Sequence, residues 1–124
     1  MPNLRVLSGA TLLLGLSWTS APPAGAHAFL DHAVPRVGST VSAAPSELVL
    51  AFTQELEPAF STVEVLNEQG AKVDKGDVQV DPHDGTLLRV SLNPLAPGTY
   101  KVIWRVVSVD THPTEGDFTF HVAP

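Results

Sequence analysis

His27, Asp110 and His112 are the residues whose types and spacing could do chemistry, and the chemistry they suit is metal binding; the plain alternative for His27 is a cleavage junction that simply precedes a histidine. His27 lies in "AGAHAFLDH", directly after a run of small residues ending at Ala26. A cut after Ala26 would make His27 the first residue. It would then offer two nitrogens to one metal, the α-amine and imidazole Nδ1, closing a chelate ring through its own side chain. An α-amine ordinarily titrates at about 7.7–8.0. It must lose a proton to ligate, so such a site weakens in acid. Asp110 and His112 stand at i and i+2 in "VDTHP". On an extended backbone both project from one face, and Pro113 biases His112 toward that conformation. A carboxylate beside an imidazole suits a metal; it equally suits an ordinary hydrogen bond at a strand end. Nitrogen and oxygen donors in a roughly square array favour Cu(II).

The other histidines read as surface residues. His121 alternates against Phe118 and Phe120, His83 falls in the turn-like "DPHDG", and His32 alternates away from His27 and Asp31. The chain has no cysteine, and its one methionine is Met1. Thiolate chemistry is thereby excluded, and a soft Cu(I) site is not expected.

Those candidates need a rigid frame, and the sequence supplies one after a leader. Residues 1–26 read as a secretory signal peptide. Arg5 precedes a 13-residue apolar run from Val6 to Trp18, and Ala24-Gly25-Ala26 ends the segment. The run is short of the roughly 20 residues that span a bilayer. Residues 27–124 are then the mature domain, with six basic side chains against thirteen acidic, a formal charge of −7. No basic stripe is present to meet phosphates, which excludes a nucleic-acid binder.

The mature chain reads as strands. "ELVLAFTQ" (47–54), "STVEVLNE" (61–68), "TLLRVSL" (86–92), "TYKVIWRVVSV" (99–109) and "DFTFHVA" (117–123) are short runs rich in strand formers. Gly70, Asp84-Gly85 and Pro97-Gly98 punctuate them, the last pair matching a type II turn. "ELEPAFS" (55–61) has room for one helical turn after Pro58. The expectation is an all-β domain: an immunoglobulin-like antiparallel β-sandwich or Greek-key barrel of about seven strands.

"HAFLDHAVPRVGSTVSAAPSELVLAFTQELEPAFSTVEV" and "LAPGTYKVIWRVVSVDTHPTEGDFTFHV" together resemble the CopC family of exported copper-resistance proteins. The resemblance covers nearly all of residues 27–124. It implies a small β-sandwich that binds one Cu(II) ion outside the cytoplasm, in the periplasm or an equivalent compartment. Copper would be held by the mature amino-terminal histidine and the D-x-H pair, here His27, Asp110 and His112. The methionine-rich segment that gives some members a Cu(I) site is missing. Gln54 stands where members commonly carry a glutamate near the copper, and Glu55 faces the other way on a regular strand; neither is placed among the ligands. Without a membrane span after the leader the chain resembles the stand-alone form, with the copper ion and a membrane copper transporter or other copper-handling protein as partners.

The expected function is therefore not enzymatic: Cu(II) binding for copper resistance, sequestration or delivery. The alternative is a copper-dependent oxidative enzyme with a similar pair of histidines. Such an enzyme needs an open metal position and an aromatic surface for its polymer. Most aromatic residues here sit on core registers of strands. A third reading, an adhesion module without metal, predicts that His27→Ala and His112→Ala leave copper binding unchanged.

Overall fold

The computed structural model describes residues 27–124, together with Gly9 and Gly15. The expected leader otherwise lies outside the described residues. Eight strands follow in order: β1 (Leu30–Val34), β2 (Thr40–Val41), β3 (Glu47–Phe52), β4 (Thr62–Leu66), β5 (Gln79–Val80), β6 (Leu87–Ser91), β7 (Gly98–Val107) and β8 (Pro113–Val122). Pro58–Phe60 forms a single 3-10 turn between β3 and β4, where the sequence leaves room for one. Among the described residues no helix is long and apolar enough to cross a membrane.

The strands form two four-stranded sheets, ordered β1-β3-β6-β5 and β2-β8-β7-β4. All pairings are antiparallel except one: β2 runs parallel to β8 over Thr40↔His121 and Val41↔Val122. The chain therefore leaves β1 on one sheet and crosses to the other within a few residues. The result is a β-sandwich, as the alternating patterns demand.

Alternation decides what is inside. Along β7, Tyr100, Val102, Trp104 and Val106 are buried while Lys101, Ile103 and Arg105 are exposed. Along β8, Phe118, Phe120 and Val122 are buried. Leu48, Leu50 and Phe52 of β3 and Leu88 and Val90 of β6 face them from the other sheet. One aromatic pair joins the two sheets and another braces the β7–β8 ladder. Phe52 meets Trp104 edge-on with centroids 5.2 Å apart, and Tyr100 stacks on Phe120 at 5.5 Å. Both spacings fall within the favourable range for ring pairs. The Tyr100 hydroxyl donates to the Ala96 carbonyl and pins the start of β7.

One side chain is missing for a reason. A Cβ added at Gly116 would lie 2.5 Å from Trp104 Cζ2 and 2.8 Å from Cε2. Trp104, opposite it across the β7–β8 ladder, fills that space instead.

Three differences from the sequence expectation are instructive. Strand β8 begins at Pro113, four residues before the apolar alternation starts, because β7 is long enough to pair with it throughout. Gly98, the first residue of β7, has φ 154, a positive value that favours glycine but lies far from the roughly +80° of a type II turn, so Pro97-Gly98 is not the turn its composition suggests. Asp110 and Thr111 lie on the reversal between β7 and β8, not on an extended strand.

Candidate metal centre

The two histidines expected at the site come from opposite ends of the chain, and different devices bring them together. His27 is carried by the segment that leads into β1. Ala28, next to it, is fully buried. Its carbonyl accepts a hydrogen bond from Thr114 Oγ1 at 2.6 Å. Phe29 N donates to Thr53 Oγ1 at 3.0 Å, and Thr53 N donates to the Phe29 carbonyl at 2.9 Å. The segment is thus tied down before β1 begins.

His112 is carried by the hairpin joining β7 to β8. Thr111 N donates to the Ser108 carbonyl at 2.8 Å, and Ser108 N donates to the His112 carbonyl at 3.2 Å. Val109 N donates to the Glu55 carbonyl at 3.0 Å, which holds the hairpin against the segment after β3. Thr111 has φ 68, the left-handed conformation. That backbone reverses direction between Asp110 and His112, which is why their i, i+2 spacing does not put them on one extended face.

The His27 and His112 rings meet with centroids 4.8 Å apart and planes at 66°. Both residues are exposed, so a solvated ion can reach them. Metal–nitrogen bonds of about 2.0–2.1 Å are typical for imidazole. Rings at this separation are close enough to share one ion at such distances. Asp110 is exposed at the hairpin tip, where Thr111 Oγ1 donates to its backbone carbonyl. Among the described residues no three histidine, aspartate or glutamate side chains form a ready-made metal cluster. The structure brings two of the three candidates together and leaves Asp110 outside a preformed set.

The remaining histidines have other partners. His32 Nδ1 lies 2.7 Å from Asp31 Oδ2 on the surface; a register shift between Leu30 and His32 breaks the alternation expected there. His121 is half-buried, with Nδ1 2.8 Å from Thr99 Oγ1. His83 is exposed in the turn, and its backbone N–H donates to Asp81 at 2.8 Å. Gln54 is half-buried, whereas Glu55 is exposed with its side chain over Gly85, directed to the turn before β6.

Sequence reasoning missed several residues around the pair. Phe29 is 60% exposed and its ring lies 6.1 Å from that of His27. Thr53 and Thr114 fasten the segment behind His27, yet nothing in their spacing distinguishes them from other strand threonines. A shallow groove of about 610 Å³ runs beside the hairpin, lined by Phe60, Arg105, Val107, Pro113, Thr114 and Glu115.

The family model described as a CopC domain matches residues 30–123. The chain belongs to the CopC family. Copper resistance protein C of Escherichia coli is 35% identical to this CopC-family protein over 131 residues, covering 96% of this chain and 99% of that protein. The crystal structure of CopC from Methylosinus trichosporium OB3b superposes with a TM-score of 0.74 at 35% identity, over 79% of this chain and 95% of that one. PcoC of Escherichia coli, described as a methionine-rich copper resistance protein, superposes at 0.69 with 36% identity, over 78% of this chain and 99% of that one.

Proposed function

We propose that this CopC-family protein is an exported Cu(II)-binding protein whose site is completed by maturation. Residues 1–26 act as a signal peptide, and cleavage after Ala26 frees the α-amine of His27. The amine and imidazole of His27 and the imidazole of His112 hold one cupric ion as cargo. Asp110 supplies an oxygen donor from the same hairpin. The observation that carries the reading is the meeting of the His27 and His112 rings at 4.8 Å.

The donor set supports copper in its higher oxidation state. Imidazole, amine and carboxylate suit Cu(II), whereas Cu(I) favours thiolate and thioether. The domain from His27 onward holds neither cysteine nor methionine. PcoC, by its description, is methionine-rich; this chain contrasts with it. The family relatives named for copper resistance support a role in copper sequestration or delivery in the periplasm or an equivalent compartment, with a membrane copper transporter among the candidate recipients. They also support a binding role over an oxidative enzyme. Phe52, Tyr100, Trp104, Phe118 and Phe120 are all buried, so among the described residues only Phe29 and Phe60 are left as exposed aromatics to stack a sugar polymer.

The test compares mature protein beginning at His27 with the same domain carrying one methionine before it. Chelator competition and electron paramagnetic resonance read Cu(II) affinity and nitrogen coupling. The mature form binds one Cu(II) with nitrogen hyperfine structure. The extended form loses most of that affinity, because its amine no longer closes the ring with the His27 imidazole. Equal affinity in the two forms refutes the reading.

A further inference from the structure

We infer that Thr53 and Thr114 are positioning residues that fix His27 for copper. The inference rests on the proposed role of His27 as the amino-terminal ligand.

Chain termini fray unless something ties them down. A chelating terminus that frays must be ordered each time it binds, and that cost is taken from affinity. Here the two residues behind His27 are held by three hydrogen bonds. Thr114 Oγ1 donates to the Ala28 carbonyl at 2.6 Å. Phe29 N donates to Thr53 Oγ1 at 3.0 Å, and Thr53 N returns the contact to the Phe29 carbonyl at 2.9 Å. Complete burial of Ala28 closes the remaining freedom at the pivot.

The placement of the two threonines matters as much as their bonds. Thr53 immediately follows β3, in the first sheet; Thr114 is the second residue of β8, in the other. The segment is therefore fastened to both sheets at once. Thr114 also lies two residues after His112. The short stretch from the hairpin into β8 thus carries the second imidazole and grips the backbone that presents the first.

The chemistry of threonine fits this task. Branching at Cβ restricts χ1, so the hydroxyl direction is set by the strand. Valine has nearly the same shape and no hydroxyl; serine has the hydroxyl without the stiffness. Partners bonded directly to a metal ligand typically govern about 10–100-fold in affinity; these threonines act on the backbone one and two residues behind the ligand, so the lower end of that range is expected.

The experiment uses mature protein beginning at His27, with Cu(II) alone as the probe. Thr114→Val, Thr53→Val, Thr114→Ser and His27→Ala are compared with the parent by chelator competition, electron paramagnetic resonance and amide hydrogen exchange. Thr114→Val should weaken Cu(II) by about tenfold or more, broaden the copper signal and speed exchange at Phe29, with exchange at Val102 and Val106 unchanged. Thr53→Val should act in the same direction, and Thr114→Ser should recover most of the affinity. Parent affinity in both valine variants, while His27→Ala abolishes binding, overturns the positioning role and leaves the site standing. Parent affinity in His27→Ala overturns the site and the inference with it. Faster exchange across the core of Thr114→Val, without recovery in Thr114→Ser, also overturns it, because the hydroxyl would then be serving the fold at large.

Discussion

Thr111 offers a test of whether the hairpin that carries His112 is under backbone strain. It has φ 68 and a β-branched side chain. An L residue in the left-handed region costs roughly 1–2 kcal/mol, whereas glycine enters it freely. Glycine also has a more mobile unfolded chain than alanine, worth about 0.4–1 kcal/mol in the opposite direction. Thr111→Gly and Thr111→Ala both lose the Thr111 Oγ1 hydrogen bond to the Asp110 carbonyl, so that contribution cancels between them. The glycine variant should then be more stable than the alanine variant by about 0.5–1 kcal/mol. At an ordinary position the order reverses. For a domain of this size, 1 kcal/mol shifts Tm by about 4–8 °C. Urea unfolding of the metal-free mature protein, with thermal melts alongside, measures the gap. An alanine variant as stable as the glycine variant, or more so, refutes the strain. Copper should move the other way: glycine loosens the hairpin holding Asp110 and His112, so Thr111→Gly should bind Cu(II) more weakly than Thr111→Ala.

Two further outcomes follow from the fold. Gly116→Ala should destabilise the protein by about 1–3 kcal/mol in urea, the usual cost of overpacking; Trp104→Phe in the same chain should recover part of the loss, and additive effects would show that the two residues do not share space. Acid should weaken the fold through the aspartates around β6. Hydrogen bonds hold the carboxyls of Asp81 (His83 N–H first, then Arg89), Asp84 (Thr86) and Asp77 (Ser91) below their ordinary value of 3.8. Groups depressed on folding contribute stability that is present above that value and lost as pH falls through the folded one. The urea midpoint should therefore drop below about pH 4, and Asp81→Asn should flatten part of that drop; an unchanged acid slope would sink the assignment.

What was legible in the sequence was whatever alternation encodes. Strands β4, β7 and β8 bury one face and solvate the other along most of their length, so their period-two pattern survives in the residue types; β6 alternates buried with half-buried residues, and β3 is buried on both faces near its end and reads as an apolar run. Strands β2 and β5 are two residues each, too short for a period, and in β1 only Ala33 is buried. These strands exist because a neighbour offers backbone partners, which no local pattern records. The same division runs through the candidate site. His27 and His112 could be named from residue type and family resemblance, and their rings do meet. The turn geometry between Asp110 and His112 could not be read: a D-x-H spacing is compatible with an extended strand or a reversal, and Thr111 is a poor signal for a left-handed residue. Thr53 and Thr114 were invisible because their role lies in backbone groups distant along the chain.

The slot shared by Gly116 and Trp104 has a consequence for how this family can change over evolutionary time. A Cβ at 116 cannot enter beside the indole at 104 unless one of the two shifts. Descent through a larger residue at 116 first crosses an overpacked intermediate, whereas descent through a smaller ring at 104 first crosses only a cavity. The order of substitution is therefore constrained. Lineages with a side chain at 116 should have given up the indole beforehand, so that the two positions are inherited as one character.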